Sequence, residues 1–483
     1  MSQRKVAIIG AGISGIVTAA HLKNAGFSVT VFERAKVSGG VWVYDERLPL
    51  EPTYPSIEAS KGEEYTYSAA QETPDLELLH APTSPCYEGL TNNVTTPLLR
   101  TTLNAWPEGT EDFVNNQVIK EYIQDTSRHT GVEDLTIYGA SVTTLEKKDL
   151  EWNLTYRLLK KGDTKGEYRF EDKTLTFDFV SIASGHYHAP RVPDIPGLSE
   201  WKKQWPNRIS HSKAYRKPDG FKGKNVLLIG AGTSSTDIAR EIGAHANKVY
   251  QSARDGLFDL PTSLLPPNAS RIGEIDSFST ANLKTDDGKN KPIPSTIKLK
   301  SGQSLCNIDA VVVCTGYHIT LPFLPNLHSD TTDPSVASDT ILVTDGTMIH
   351  NLHKDIFYIP DPTLAFVGVP YFTATFTLFE FQAMAVAAAF SGRAKLPTQE
   401  EMRREYVARV ESKGLGKKFH NLRGKDAEYV DELLVWVNQG EGERIGGHTE
   451  IWHKAKAAQE ERFKFLFEAS KLIESTPIIL PAC

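Results

Sequence analysis

Two glycine-rich segments carry the clearest chemistry in this 483-residue chain. The first, Gly10-Ala-Gly-Ile-Ser-Gly15, follows the apolar run Lys5-Val-Ala-Ile-Ile9 and opens a helical stretch that should stop near Gly26. In such a turn Gly10 permits the tight bend, Gly12 lets a pyrophosphate approach the backbone, and Gly15 lets helix and strand pack closely. An anion held there also meets the positive end of the helix dipole. A glycine triad alone can serve packing without any ligand. The next strand-like run, Ser28-Val-Thr-Val-Phe32, adds the missing half, because it ends at Glu33, whose carboxylate can accept both hydroxyl hydrogens of an adenosine ribose.

The second copy is Gly230-Ala-Gly-Thr-Ser-Ser235 after Asn225-Val-Leu-Leu-Ile229, with Ser235 in place of the third glycine. Gly230, Gly232 and Ser234 are its candidate phosphate contacts. Glu33 stands 23 residues after Gly10, and Arg254 stands 24 residues after Gly230, so the matched position reverses the sign of its charge. A guanidinium there, with the Ser252 hydroxyl two residues earlier, suits a ribose 2′-phosphate that a carboxylate would repel. The economical reading is FAD at the first turn and NADPH at the second.

These turns imply the elements that hold them: an α/β chain with two Rossmann-like dinucleotide-binding domains, the NADPH domain inserted in the FAD domain. Residues 1–195 read as the first part of the FAD-binding domain, 196–325 as the NADPH-binding domain, and 326–483 as the second FAD-binding part with C-terminal helices. Pro190, Pro193 and Pro196, and again Pro322 and Pro325, suggest the crossings, since proline seldom continues a helix or a central strand. Segments 142–145, 152–159 and 177–182 read as strands of an antiparallel meander within the first domain, joined by turns such as 161–166. Residues 44–85 lack periodicity and suggest a long ordered loop or lid. From Gln399 onward, charges at helical spacing read as solvated helix faces packed on the first domain, where catalysis is not expected.

A net charge of −7, from 53 basic and 60 acidic residues without a basic block, argues against nucleic acid as a partner. Cys86, Cys306, Cys314 and Cys483 include no C-x-x-C and no metal-ligand spacing, so neither a metal site nor a disulfide framework is expected, and reduced thiols fit a cytoplasmic location. The N-terminus lacks the succession of a signal peptide. The apolar stretch 376–390 is interrupted by Glu380 and Gln382 and falls short of the ~20 residues that cross a bilayer, so no integral membrane segment is expected.

Further motifs, in order along nearly the whole chain, make the sequence resemble the flavin-containing monooxygenases. Gly39-Gly-Val-Trp42 resembles the family's flavin-contacting turn, with Gly40 and Trp42 as candidate FAD contacts. Tyr87-Glu-Gly-Leu-Thr-Asn-Asn93 resembles the segment whose asparagine faces the reactive flavin, here Asn92. Ser184-Gly-His-Tyr187 and Cys314-Thr-Gly-Tyr317 look like the two domain-crossing strands. Pro362-Thr-Leu-Ala-Phe-Val-Gly368 with Glu380-Phe-Gln382 resembles the late segment that returns to the flavin, and Tyr429-Val-Asp-Glu-Leu433 the C-terminal pattern. The F-x-G-x-x-x-H stretch of the family is altered to Trp205-Pro-Asn-Arg-Ile-Ser-His211, with His211 and Tyr215 retained.

The resemblance implies an enzyme in which NADPH reduces FAD and dioxygen then forms a flavin C4a-hydroperoxide that oxygenates the nitrogen or sulfur of a small amine or sulfide. Asn92 is then the candidate catalytic donor. Baeyer-Villiger relatives usually carry tryptophan where this chain has Tyr215, which favours heteroatom oxidation, with Baeyer-Villiger or oxidase activity as the alternative. A disulfide reductase would need a close cysteine pair that is absent. A non-catalytic redox sensor holding both nucleotides is the remote reading.

Overall fold

Lys5–Ile9 forms the central strand that its apolar run predicts, buried except at its first residue. The computed structural model describes residues 3–63, 65–66, 75–162, 168–280, 291–440 and 442–474. Lys5–Ile9 pairs in parallel with Ser28–Glu33 on one side and Phe179–Ile182 on the other. Thr136–Tyr138 and Leu364–Phe366 extend the sheet in parallel, and Phe357–Tyr358 and Leu352–His353 finish one edge antiparallel. Helix Ile13–Asn24 covers this sheet and is itself covered by Thr375–Ser391. Both helices are apolar nearly all round, the pattern of a helix with no solvent face.

The stretch 376–390 is therefore core, and its two polar interruptions are ties. Glu380 accepts from the Thr102 backbone N–H at 2.7 Å and the Thr102 hydroxyl at 2.6 Å, which ties the loop at Thr102 to this helix. No described helix is long and apolar enough to cross a membrane.

The second unit repeats the plan. Asn225–Ile229 pairs in parallel with Lys248–Ser252 and Ala310–Val313, flanked by Ala269–Ile272 and Ile209–His211. A small antiparallel sheet, Ile275–Phe278, Ile297–Leu299 and Ser304–Leu305, packs onto its core. Trp205 lies in that core, 5.2 Å from Trp201 between ring centroids, so the altered motif residue is a packing residue. The two connecting strands pair with each other, Ala189–Pro190 antiparallel to Tyr317–His318. The chain thus returns ahead of Pro322 and Pro325, because Leu321, Phe323 and Leu324 around those prolines bury in the first unit's core.

Two expectations change. The meander consists of Ala140–Lys148, Glu151–Lys161 and Tyr168–Phe177, whereas Phe179–Ile182 belongs to the main parallel sheet. The break falls at Asp178, which accepts the Lys5 backbone N–H; beyond it Val180, Ser181 and Ile182 are buried in succession, as central parallel strands are. Most of Tyr168–Phe177 is exposed, as an edge strand should be. Residues 163–166 of the turn, and 64 and 67–74 of the 44–85 segment, lie outside the described residues. The C-terminal region is also more than a solvated face. Helix Glu450–Glu474 spans both units: Trp452 packs with Leu98 and Ala374, and the Leu466 carbonyl accepts the Ser263 hydroxyl at 2.7 Å.

Candidate active site

A cavity of roughly 2490 Å³ lies between the two glycine turns and is lined from both units. Single small-ligand pockets span about 300–1,000 Å³, so this space is of the size that two bound dinucleotides need. Gly10 and Gly230 have φ of +107° and +110°, and a Cβ on either would sit 2.6 Å from a carbonyl oxygen, Ala183 or Cys314. The two turns are therefore one structure built twice, as their sequences suggest.

At the first turn, a Cβ on Gly15 would lie 1.9 Å from the Gly10 carbonyl oxygen, so Gly15 is fixed by packing. Gly12 is different: its nearest neighbour would be the Gly40 Cα at 3.6 Å, so its missing side chain leaves room that faces the cavity. Glu33 ends its strand with each carboxylate oxygen bound once by the backbone, from Ala11 at 2.7 Å and Ala35 at 2.8 Å. One lone pair per oxygen is left for a ribose diol, and the residue borders the cavity. Gly40 and Trp42 line the same wall.

At the second turn, Ser235 is fully buried and its hydroxyl accepts from the Gln251 side chain, which explains how serine replaces the third glycine. Gly232, Ser234 and Arg254 line the cavity, Arg254 at its exposed rim. Ser252 departs from expectation. Its hydroxyl donates to the Gly273 carbonyl at 3.0 Å, leaving no proton for a phosphate.

Two further expectations are corrected. Asn92 lines the cavity but is 3 % exposed, and its amide nitrogen donates to the Val94 and Asp112 carbonyls at 2.8 Å each while its oxygen accepts the Val114 N–H at 2.6 Å. Both amide hydrogens are spent on the backbone, so Asn92 shapes its loop and donates to nothing in the cavity. Gln382 does not reach the cavity at all. It accepts the Gly368 N–H at 3.0 Å and donates to the Tyr429 hydroxyl at 2.8 Å, so it acts on the site by holding Gly368, which does line it.

The flavin-binding monooxygenase-like family matches residues 83–263 and 294–441, and the NAD(P)-binding Rossmann-like domain family matches 8–60. Flavin-containing monooxygenase ustF2 of Aspergillus flavus is 46% identical over 484 residues, covering 95% of this chain and 98% of the relative. The chain belongs to the flavin-containing monooxygenases. Flavin-containing monooxygenase ustF1 of the same organism is 40% identical over 98% of this chain and 95% of its own length. Among solved structures, the S-allyl-L-cysteine S-oxygenase of Allium sativum superposes with a TM-score of 0.69 at 24% identity, over 98% of this chain and 99% of that one. Tmm of a Pelagibacter strain gives 0.69 at 19% identity, over 96% and 91%. Both show the shared fold.

As a flavin-containing monooxygenase this is an oxidoreductase that uses FAD and NADPH. The residues present fit both groups: the open space at Gly12 with the spare lone pairs of Glu33 suits FAD, and the second turn with Arg254 suits NADPH. Sequence reasoning missed two cations beside Arg254. Arg191, from the first crossing, and Lys417, from the turn after helix Gln399–Lys413, line the same cavity. Burial, then Arg191 and Arg254, brings Lys417 down to about 8, and burial with Arg254 lowers Arg191. Asp345 is the carboxylate opposing them. No local motif could reveal this set, since its members lie up to 226 positions apart in sequence.

His211, whose role the sequence leaves open, is a brace. Its Nδ1 accepts the Lys213 N–H at 3.1 Å, and Nε2 lies 3.1 Å from the Gly316 carbonyl. Burial pushes the ring down to about 3, so it is neutral and joins the nucleotide unit to the crossing strand.

Proposed function

We propose that this monooxygenase oxygenates the nucleophilic nitrogen or sulfur of a small organic molecule, FAD supplying the oxidant as a C4a-hydroperoxide once NADPH has reduced it. The observation that supports this reading is that both nucleotide turns open on one cavity whose walls include the aromatic side chains of Phe113, Tyr187, Tyr371, Phe372, Phe376 and Phe463. Such walls exclude water and suit an amine or sulfide that brings its own lone pair, so no acid-base triad is required of the chain. Tyr215 in place of tryptophan supports the same choice over the Baeyer-Villiger reaction. We take the nucleotide unit to begin at 196 and to end ahead of Pro322 rather than at 325, since Leu321, Phe323 and Leu324 pack in the first unit's core, and the buried thiol side chains of Cys86, Cys306 and Cys314 favour the reducing cytoplasm.

In this reading the chain binds and orients. Gly10, Gly12 and Glu33 hold FAD, while Gly40 and Trp42 border it. Gly230, Gly232 and Ser234 hold the NADPH pyrophosphate at the start of helix Thr233–Gly243, and Arg254 meets the 2′-phosphate with Arg191 and Lys417. The test is turnover with labelled dioxygen on a panel of amines, sulfides and ketones. One labelled oxygen in an N-oxide, hydroxylamine or sulfoxide is expected; labelled esters from ketones alone would overturn the proposal.

Asn92 and its neighbour divide the work of their loop. Asn92→Ala removes three hydrogen bonds and leaves backbone groups unpaired, so a loss of about 1–3 kcal/mol is expected, read as a lower Tm together with more hydrogen peroxide per NADPH. Asn93, exposed to the same cavity, should tolerate Ala with an unchanged Tm and show the peroxide leak alone. A stable Asn92→Ala with full product yield would remove this loop from the mechanism.

A further inference from the structure

One charged residue stands where an anion site should not want it. Helix Thr233–Gly243 begins at the second glycine turn, and Thr233, Asp237, Arg240 and Glu241 share its cavity-facing side. Asp237 lies four residues past the helix start, about 6 Å along the axis at 1.5 Å per residue. The pyrophosphate of NADPH, resting on that helix start, brings its negative charge toward a carboxylate in an enclosed space where like charges repel strongly.

The surroundings favour a neutral carboxyl. Burial, aided by Glu241 and opposed by Arg240 and the neighbouring Tyr87 hydroxyl, lifts Asp237 to about 6. Glu241 is also pushed up, by burial and by Glu88, against the Tyr215 hydroxyl that donates to it at 2.6 Å. The Tyr87 and Tyr215 rings meet edge-on with centroids 5.4 Å apart. Two carboxyls and two phenols from three segments thus form one proton-holding group at the junction of the loop around 86–93 with the nucleotide unit.

We propose that NADPH binding is coupled to proton uptake by Asp237, whose carboxylate takes one proton from solvent as the pyrophosphate settles on the start of its helix. This rests on the placement of NADPH at the second turn. Below the free-state midpoint the carboxyl is already neutral and affinity is full. Affinity falls as pH rises through the interval between the free and the nucleotide-bound midpoints, because binding must then draw a proton from solvent.

The test is calorimetric titration of the FAD holoenzyme with NADP⁺ in phosphate and in Tris, whose different ionisation enthalpies report protons taken up. The 2′-phosphate and Lys417 also exchange protons, so the quantity is the difference between parent and Asp237→Asn, with Lys417→Met as a parallel control. Parent is expected to take up more protons than Asp237→Asn near pH 7, by up to one, and to lose affinity from pH 6 to 8 more steeply. Tyr87→Phe keeps the carboxyl and removes the phenol that lowers its midpoint, so its affinity should hold to higher pH. Equal proton uptake and equal pH slopes in parent, Asp237→Asn and Tyr87→Phe would overturn the proposal. Failure of Arg254→Ala to weaken NADP⁺ would instead overturn the placement of the nucleotide.

Discussion

Gly12→Val is expected to give a folded but colourless protein. The substituent enters the space in front of the first helix, where only the Gly40 Cα would come near, so the turn itself survives while the pyrophosphate loses its approach to the backbone. A hundredfold or greater loss of FAD affinity is expected, which corresponds to about 3 kcal/mol. Gly15→Val provides the contrast. Its Cβ would meet the Gly10 carbonyl oxygen at 1.9 Å, so that variant should lose the fold as well as the flavin. Flavin absorbance per chain and near-UV circular dichroism separate the two, and a yellow Gly12→Val with parental FAD affinity would refute the first site.

Arg254→Ala should lower the ratio of kcat/KM for NADPH to that for NADH by roughly tenfold to a hundredfold, the worth of a charge-assisted hydrogen bond of about 1.5–3 kcal/mol. Flavin content and Tm should not change, since Arg254 sits at the exposed rim of the cavity. Lys417→Met should act in the same direction, with a signature of its own. Lys417 titrates at about 8, so the parent's preference for NADPH should weaken as pH rises through that value, and the substitution should flatten the profile. His318, Arg191, Arg254 and Asp345 all interact with Lys417. An unchanged cofactor ratio in both variants would place the choice of nucleotide elsewhere.

The sequence by itself determined both glycine turns, the strands feeding them, the reversed charge at Glu33 and Arg254 and through these the two cofactors, while the further motifs between Gly39 and Leu433 carried the resemblance to the family. Those features are local: a strand, a turn and a helix start are adjacent in the chain, and the backbone conformations they need select glycine directly. Tertiary structure decided whatever depends on how a side chain spends its hydrogen bonds. Asn92 and Ser252 occupy the expected places, yet their donors go to backbone carbonyls, because a buried amide or hydroxyl must be satisfied by whatever the fold brings nearest. Gln382 turns away from the cavity for the same reason, its partners Gly368 and Tyr429 lying 14 and 47 positions distant. Arg191, Arg254 and Lys417, from three separate segments, meet only because the fold brings them to one cavity, and Asp237 opposes an anion only once its helix forms a cavity wall. Charge and hydrogen-bonding capacity are written in the residues, but their partners are set by distances that only the folded chain defines.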